Sequence, residues 1–322
     1  MEQANINNEI QLLPYTFLGL PEQHASLAAS KTVIIPVAYD GTTSYKSGAR
    51  DGPLAIIQAS RHMEDYSLEL GSEISIYGIH THPQLEPRID SPQSMVQQVQ
   101  EIVSKYIAME KLVVTLGGDH SISIGTVLAH HSFYPNLSVL YLDAHADLRD
   151  NYQGSTHSHA STARRIYERI DQLVQVGVRS MSAEEADLIN HHEISSFMWN
   201  NRSAILDEAH PDGYPAFHSL NTVERIDAIT SRLSKDVYVS IDLDVFDPSE
   251  MPSVGTPEPG GPRWQDLIDI LQGVAARHRI VGFDLVELAP REGPDFAAYT
   301  AARLAYTMIG YALQSQDPEG DS

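Results

Sequence analysis

Cysteine is absent from this chain of 322 residues. Disulfides, thiolate nucleophiles and cysteine-ligated zinc are therefore excluded, and a reducing compartment is permitted. No run of about 18 apolar residues occurs, so no helix is expected to span a membrane. Residues 1–11 are polar and acidic and lack the basic stretch and apolar core of a secretion signal. The expected location is the cytoplasm. Basic residues are scarce, with 21 Lys and Arg against 43 Asp and Glu, for a formal charge of −22. So negative a surface repels nucleic acid and anionic lipid, and neither is expected as a partner. It suits a cationic substrate or a metal, and equally serves solubility alone.

What the chain does have is a series of short apolar segments rich in β-branched residues. Eight read as strands: 32–39, 74–80, 112–117, 138–143, 173–178, 194–198, 237–243 and 280–286. Their near-continuous hydrophobicity fits a parallel sheet covered on both faces. Helical spacing is clearest over 92–109, where Met95, Val96, Val99, Ile102, Val103, Tyr106 and Ile107 form one stripe. Segments 55–61, 221–233, 264–277 and 296–313 read the same way. Strands alternating with helices imply a layered α/β fold with right-handed crossovers. The polar stretch 200–218, punctuated by Pro211, Gly213 and Pro215, reads as a loop rather than a domain boundary. One domain over 1–322 is expected, with flexible ends at 1–11 and 314–322.

Ligands of such sheets collect at the carboxyl ends of the strands. Four apolar segments here run straight into acidic or histidine-bearing turns. They end in Gly117-Gly118-Asp119-His120, Asp143-Ala144-His145-Ala146-Asp147, Asp242-Leu243-Asp244 and Asp284-Leu285-Val286-Glu287. In extended chain, alternate residues share a side, so Asp143, His145 and Asp147 can converge, as can Asp242 and Asp244. Gathering such groups at the end of a buried strand is costly unless a metal compensates the desolvation. Asp143, Asp147, Asp242 and Asp244 contribute −4, which balances two divalent cations, with His120 and His145 ligating as neutral imidazoles. A hydroxide between the ions would leave the cluster at −1, which suits a cationic substrate. A lone Asp-x-Asp is usually a solvated turn, and a lone histidine usually a surface or capped residue. Their joint appearance at successive strand ends is what points to a metal centre.

These segments resemble the signatures of the ureohydrolase family of arginases and agmatinases. The resemblance covers most of the chain and rests on Gly117-Gly-Asp-His-Ser121, Asp143-Ala-His-Ala-Asp147 and Ser240-Ile-Asp-Leu-Asp-Val-Phe-Asp-Pro248. It extends to Tyr39-Asp-Gly-Thr-Thr-Ser-Tyr45, Gly48-Ala-Arg-Asp-Gly-Pro53, Gly255-Thr-Pro-Glu-Pro-Gly-Gly261 and Phe283-Asp-Leu-Val-Glu-Leu-Ala-Pro290. It implies a three-layer α/β/α fold around an eight-stranded parallel sheet. It also implies two Mn²⁺ ions, one held by His120, Asp143, Asp147 and Asp242, the other by His145, Asp143, Asp242 and Asp244. An all-nitrogen-and-oxygen ligand set would also suit Co²⁺, Ni²⁺ or Zn²⁺.

The implied reaction is hydrolysis of a small cationic guanidino compound to urea and an amine. Glu287 matches the residue that holds the guanidinium, and Asp147 is placed to accept a proton from the attacking hydroxide. A histidine is the natural proton shuttle to the leaving amine. His159 aligns with the family's catalytic position, which leaves His157 as a loop residue. The pairs His130-His131 and His191-His192 are expected to be helix ends or core contacts. Agmatine is the favoured substrate, because the loop 148–155 resembles agmatinases more than arginases. Guanidinobutyrate, arginine, free guanidine and an N-formimino amino acid are the alternatives within the family. A non-catalytic subunit is disfavoured because every ligand position is filled. A dimetal phosphoesterase is disfavoured because no Arg- or Lys-rich cradle is seen. Family members form trimers or hexamers, so a homo-oligomer is expected.

Overall fold

The computed structural model describes residues 14–199 and 217–316. Ten strands occur in it: β1 (Thr32–Pro36), β2 (Tyr66–Ser67), β3 (Ser72–Glu73), β4 (Ile79–Thr81), β5 (Leu112–Leu116), β6 (Leu137–Leu142), β7 (Gln172–Val176), β8 (Ser195–Phe197), β9 (Asp236–Asp242) and β10 (Arg279–Val286). β2 and β3 form a small antiparallel pair. The other eight make one sheet in the order β4-β1-β5-β10-β9-β6-β7-β8, and every pairing in it is parallel. The helices are α1 (Glu22–Ala25), α2 (Gly52–Ser60), α3 (Pro92–Ile107), α4 (Ser123–Phe133), α5 (Thr162–Tyr167), α6 (Ala183–His192), α7 (Thr222–Thr230), α8 (Trp264–Ala275) and α9 (Phe296–Gln316).

Alternation along the strands divides the core into two layers. Ile34, Val114, Leu140 and Val239 face Ile56, Ile229, Leu267 and Leu304 of α2, α7, α8 and α9. Their strand neighbours Val33, Ile35 and Val113 face Val99 and Val103 of α3, while Val139 and Tyr238 meet Val127 and Ile166 of α4 and α5. Both faces of the sheet are therefore covered, giving the three-layer α/β/α architecture. Fully burying one such aliphatic side chain stabilises by about 1.5–3 kcal/mol, so the two layers hold the strand ends firmly.

The structure departs from the sequence-based expectation in three places. The stretch 74–80 is not one strand: Ile74–Tyr77 is a 3-10 turn, Gly78 has φ 74°, and only then does β4 begin. The Ile74 N–H bonds to the Tyr306 hydroxyl instead of to a neighbouring strand, which explains the break. The helices α4, α5 and α6 had no clear periodicity. α4 is buried along most of its length, so it carries little amphipathic signal. Residues 314–316, expected to be flexible, complete the last turn of α9, where Ser315 Oγ accepts from Ile280 N and Gln316 Nε2 donates to Ile280 O. The rest of that tail and residues 1–11 lie outside the described residues. So does most of the loop expected at 200–218, of which only the 3-10 turn Phe217–Ser219 is described.

β5, β10, β9 and β6 are adjacent at the centre of the sheet, so their carboxyl ends meet at one place. The chain leaving β5 is laid directly on the chain leaving β1. The Asp119 N–H donates to Tyr39 O at 2.7 Å, and a Cβ on Gly118 would stand 1.7 Å from that same carbonyl oxygen. No side chain can be accommodated there without moving backbone. Gly118→Ala is expected to cost about 3 kcal/mol or more in a chemical-denaturation measurement. A loss under about 1 kcal/mol would contradict this packing.

Candidate active site

Each of the four central strands delivers side chains to the same point. β5 passes through Gly117 and Gly118 into the 3-10 turn His120–Ile122, whose Asp119 cap accepts from Ser121 N. β6 ends at Leu142 and presents Asp143, His145 and Asp147. β9 ends on Asp242 itself, whose Oδ1 accepts from Asp244 N at 2.8 Å, and this bond turns Asp244 back toward the site. β10 delivers Glu287.

His120 Nδ1 stands 3.0 Å from Asp143 Oδ2, 3.1 Å from Asp242 Oδ2 and 3.5 Å from Asp147 Oδ2. His145 Nδ1 stands 3.0 Å from Asp244 Oδ2 and 3.5 Å from Asp143 Oδ1. Two groupings result, His120–Asp143–Asp242 and Asp143–His145–Asp244, each close enough to hold one cation. Asp143 belongs to both. Asp147 lies at the edge of the first, and Asp242 joins only the first within the same compactness. All four aspartates are buried.

That burial is untenable for so many like charges. Desolvation, then the charge of Asp143, pushes Asp147 well above the usual carboxylate range. Desolvation, then Asp244 and Asp143, does the same to Asp242. Desolvation also opposes charge on His120, but the carboxylates of Asp143 and Asp242 outweigh it and raise the imidazole. Asp143 resists burial and is held low by His120 and His145. Its buried Oδ2 makes no well-angled hydrogen bond and has the His120 Nδ1 at 3.0 Å. Buried nitrogen and oxygen groups so crowded, and at odds over protons, fit divalent cations.

Several residues to which the sequence reading gave no role orient these groups. His120 Nε2 lies 3.0 Å from Ser240 Oγ, which donates at 2.8 Å to Asp284 Oδ1. The buried Asp284 also accepts from Tyr238 and Thr126. With Nε2 so engaged, Nδ1 is the nitrogen left to face the carboxylates. The Tyr141 ring stacks on His120, and its hydroxyl donates to Asp147 Oδ2 at 2.8 Å. Arg179 donates to the carbonyls of Asp244, Val245 and Phe246, bracing the turn that carries Asp244. Glu185 accepts from Leu148 N at 2.9 Å and caps α6 through Ser182, so it ties the loop after Asp147 to that helix. Of these, only the Ser182-x-x-Glu185 capping pattern was visible in sequence.

Asp147 and Glu287 are both held at positive φ, 51° and 67°. Such backbone costs of order 1–3 kcal/mol per residue and persists only where surrounding contacts enforce it. Glu287 N donates to Gly118 O, and Glu287 Oε1 accepts from His120 N, each at 2.8 Å. Burial, then the charge of Asp119, raises the Glu287 carboxyl to about 8.

Beside this cluster is a cavity of about 230 Å³, lined among others by His145, Asp147, Arg149, Tyr152, His159 and Thr256. The Nε2 of His159 is buried there without a partner, and burial followed by the charge of His145 lowers this imidazole to about 4. His157 is absent from that lining, and its Nδ1 lies 3.0 Å from Thr156 Oγ1. His130 is buried against Tyr238, whereas His191 and His192 end α6 in solvent.

A family model described as the arginase family matches residues 30–310. The chain belongs to the arginase family. It is 37% identical over 289 residues to the N(1)-aminopropylagmatine ureohydrolase of Thermus thermophilus, a match covering 90% of this chain and 92% of that protein. It is 35% identical over 291 residues to the agmatinase of Pyrococcus horikoshii, covering 88% and 92%. The solved agmatine ureohydrolase of Thermoplasma volcanium superposes with a TM-score of 0.79 at 25% identity, covering 97% and 98%. As a member of the arginase family the chain is a hydrolase of amidino C–N bonds, and its two His/Asp groupings are candidate sites for the family's metals.

The protonation pattern yields a prediction for the metal-free protein. Acids and bases whose folded pKa is raised stabilise the fold at low pH and lose that contribution as pH rises. Glu287, Asp147, Asp242, His120 and His145 are all raised. The lowered histidines His82, His130, His157 and His159 act oppositely, but only below the ordinary 6.5. Between pH 6.5 and 8 the raised groups act alone. Thermal unfolding of the metal-free protein is therefore expected at lower temperature as pH rises through that window, a trend that added divalent metal removes. A rise in Tm over the same window would refute it.

Proposed function

We propose that this chain hydrolyses the guanidinium of a small carboxylate-free amine, agmatine first, to urea and the diamine, with two Mn²⁺ ions in the His/Asp cluster. The observation that carries the reading is the convergence of four buried aspartates and two imidazoles beside a buried glutamate at adjacent strand ends. His120, Asp143, Asp147 and Asp242 would hold one ion, and His145, Asp143, Asp242 and Asp244 the other. When bound, the ions supply the means to deprotonate a water near neutral pH. The lack of cysteine fits a reducing compartment, and we place the enzyme in the cytoplasm.

The protein's own groups account for the other requirements. Glu287 accepts from guanidinium N–H groups and fixes the plane of the reacting carbon. Asp147 receives the proton that the attacking water retains after adding to that carbon. His159 Nε2, unpartnered and facing the cavity, relays a proton to the departing amine nitrogen as the C–N bond breaks. The water oxygen becomes the urea oxygen. A second substrate reading, N(1)-aminopropylagmatine, is favoured by the name of the Thermus relative. Both compounds carry a guanidinium at one end and no carboxylate at the other.

Chelation is expected to leave a folded protein that releases no urea, and Mn²⁺ to restore release. Full activity in protein shown by elemental analysis to be metal-free would overturn the mechanism. In the same assay, kcat/KM for agmatine should exceed that for arginine by at least about 10²-fold, the penalty for a charged group with no partner. Aminopropylagmatine, guanidinobutyrate and free guanidine complete the panel, and a preference for any of them would move the substrate and leave the dimetal reading intact.

His159→Ala should lower kcat by roughly 10²-fold with metals still bound, the scale of a proton-transfer role. His157→Ala should do far less. Reversed effects would place the relay two residues away.

A further inference from the structure

The segment Tyr39–Tyr45 follows β1 and has no part in the His/Asp cluster, yet one residue in it touches two elements of the site at once. Thr42 Oγ1 lies 2.9 Å from the His159 backbone nitrogen and accepts its hydrogen. The same hydroxyl donates to Asp119 Oδ2 at 3.0 Å, and Thr42 N donates to that oxygen at 2.8 Å. Asp119 is fully buried, and its other oxygen accepts from the Ser121 N–H and hydroxyl. Both carboxylate oxygens are thus committed, and the direction of each bond is fixed by which partner has hydrogen to give.

His159 opens a single 3-10 turn, His159–Ser161, with Ser158 as its N-cap and no side-chain capping bond from that residue. Its N–H is one of those that a helix start leaves unpaired. Thr42, 117 residues distant in sequence, satisfies it. The hydroxyl therefore caps the turn from another part of the chain, and Asp119 orients the hydroxyl. On the side-chain end, the Tyr152 ring meets the His159 imidazole edge-on, with centroids 5.9 Å apart. The imidazole is located by its backbone through Thr42 and by its ring through Tyr152, and its Nε2 is left without a hydrogen-bond partner beside the cavity.

We infer that Thr42 is a positioning residue for the His159 proton relay: the chain Asp119–Thr42–His159 registers the loop bearing the relay against the strand end bearing His120. Asp119 adjoins His120 in sequence, so one rigid connection fixes the relay relative to the ligand cluster. The inference rests on the role proposed for His159. Displacements of about 1 Å in a group that transfers protons can cost on the order of 10²-fold in rate.

The test uses the Mn²⁺-loaded full chain with agmatine. Thr42→Val keeps the shape and removes the hydroxyl, and Thr42→Ala serves should the valine variant fail to fold. Either is expected to lower kcat about 10- to 100-fold, with KM within about twofold and two metals per subunit retained. Thr42→Ser, which restores the hydroxyl, should recover most of the rate. Combined with His159→Ala, the Thr42 substitution should add little, because its effect passes through the relay. Undiminished kcat in both Thr42 variants, failure of serine to rescue, or a fully additive double variant would each overturn the inference. Loss of bound metal in the Thr42 variants would do so too, since it would place Thr42 in support of the ligands. His159→Ala without effect would instead remove the relay reading on which the inference rests.

Discussion

Four aspartates buried around two imidazoles are the constraint around which this molecule is arranged. Their charged neighbours within 4.0 Å are the imidazoles of His120 and His145. Two imidazolium charges would leave half the anionic charge uncompensated, in surroundings where water contributes little. Protonating Asp147 and Asp242 is the metal-free answer, and the upward shifts of both groups express it. Divalent cations are the alternative, and they exploit the same geometry without protons. The cluster is consequently poorly adapted to being empty, and the layers of helix on both faces of the sheet are what keep it assembled.

Holding these side chains at fixed separations requires a second ring of bonds. Ser240 and Asp284 select the free nitrogen of His120, and Tyr141 fixes one oxygen of Asp147. Arg179 gathers three successive carbonyls of the Asp244 turn. Positive φ at Asp147 and Glu287 is the local consequence: the chain is bent at the two places where a side chain must turn from the strand axis into the site. At Glu287 the bend is held by its N–H, which donates to Gly118 O, and by its Oε1, which accepts from His120 N.

Reading the sequence located the sheet strands and drew together the candidate ligands because both readings rest on local rules. Period-two alternation puts Asp143, His145 and Asp147 on one side, and a strand end is where an apolar run gives way to Asp or His. The eight sheet strands and their three-layer setting follow from the same patterning, except where Gly78 breaks the run before β4. What local rules do not contain is the partner of a side chain far along the chain. Ser240 meets Asp284 across 44 residues, and Thr42 meets Asp119 across 77. A serine two positions before an aspartate carries no signal that it will turn a histidine's tautomer. α4 escaped for a different reason, since a helix buried on most sides has no polar stripe to mark its period.

Discrimination at the far end of the substrate has a comparable physical basis. Arg149 is the cationic side chain in the cavity lining, and alone it would welcome a carboxylate such as that of arginine. It is not alone. Its guanidinium lies over the Tyr152 ring, 5.1 Å from the centroid, and its Nε is 3.9 Å from the buried Glu185. Glu185 is in turn committed to Leu148 N and to the cap of α6. A substrate carboxylate would have to draw Arg149 away from a stacking partner and an acid that cannot follow it. Glu258, whose Oε1 is 4.0 Å from His145 Nε2, and a formal charge of −22 over the whole chain add negative potential near the cluster. An arginine already engaged and a strongly negative chain both weigh against a substrate carboxylate and toward a second cationic group.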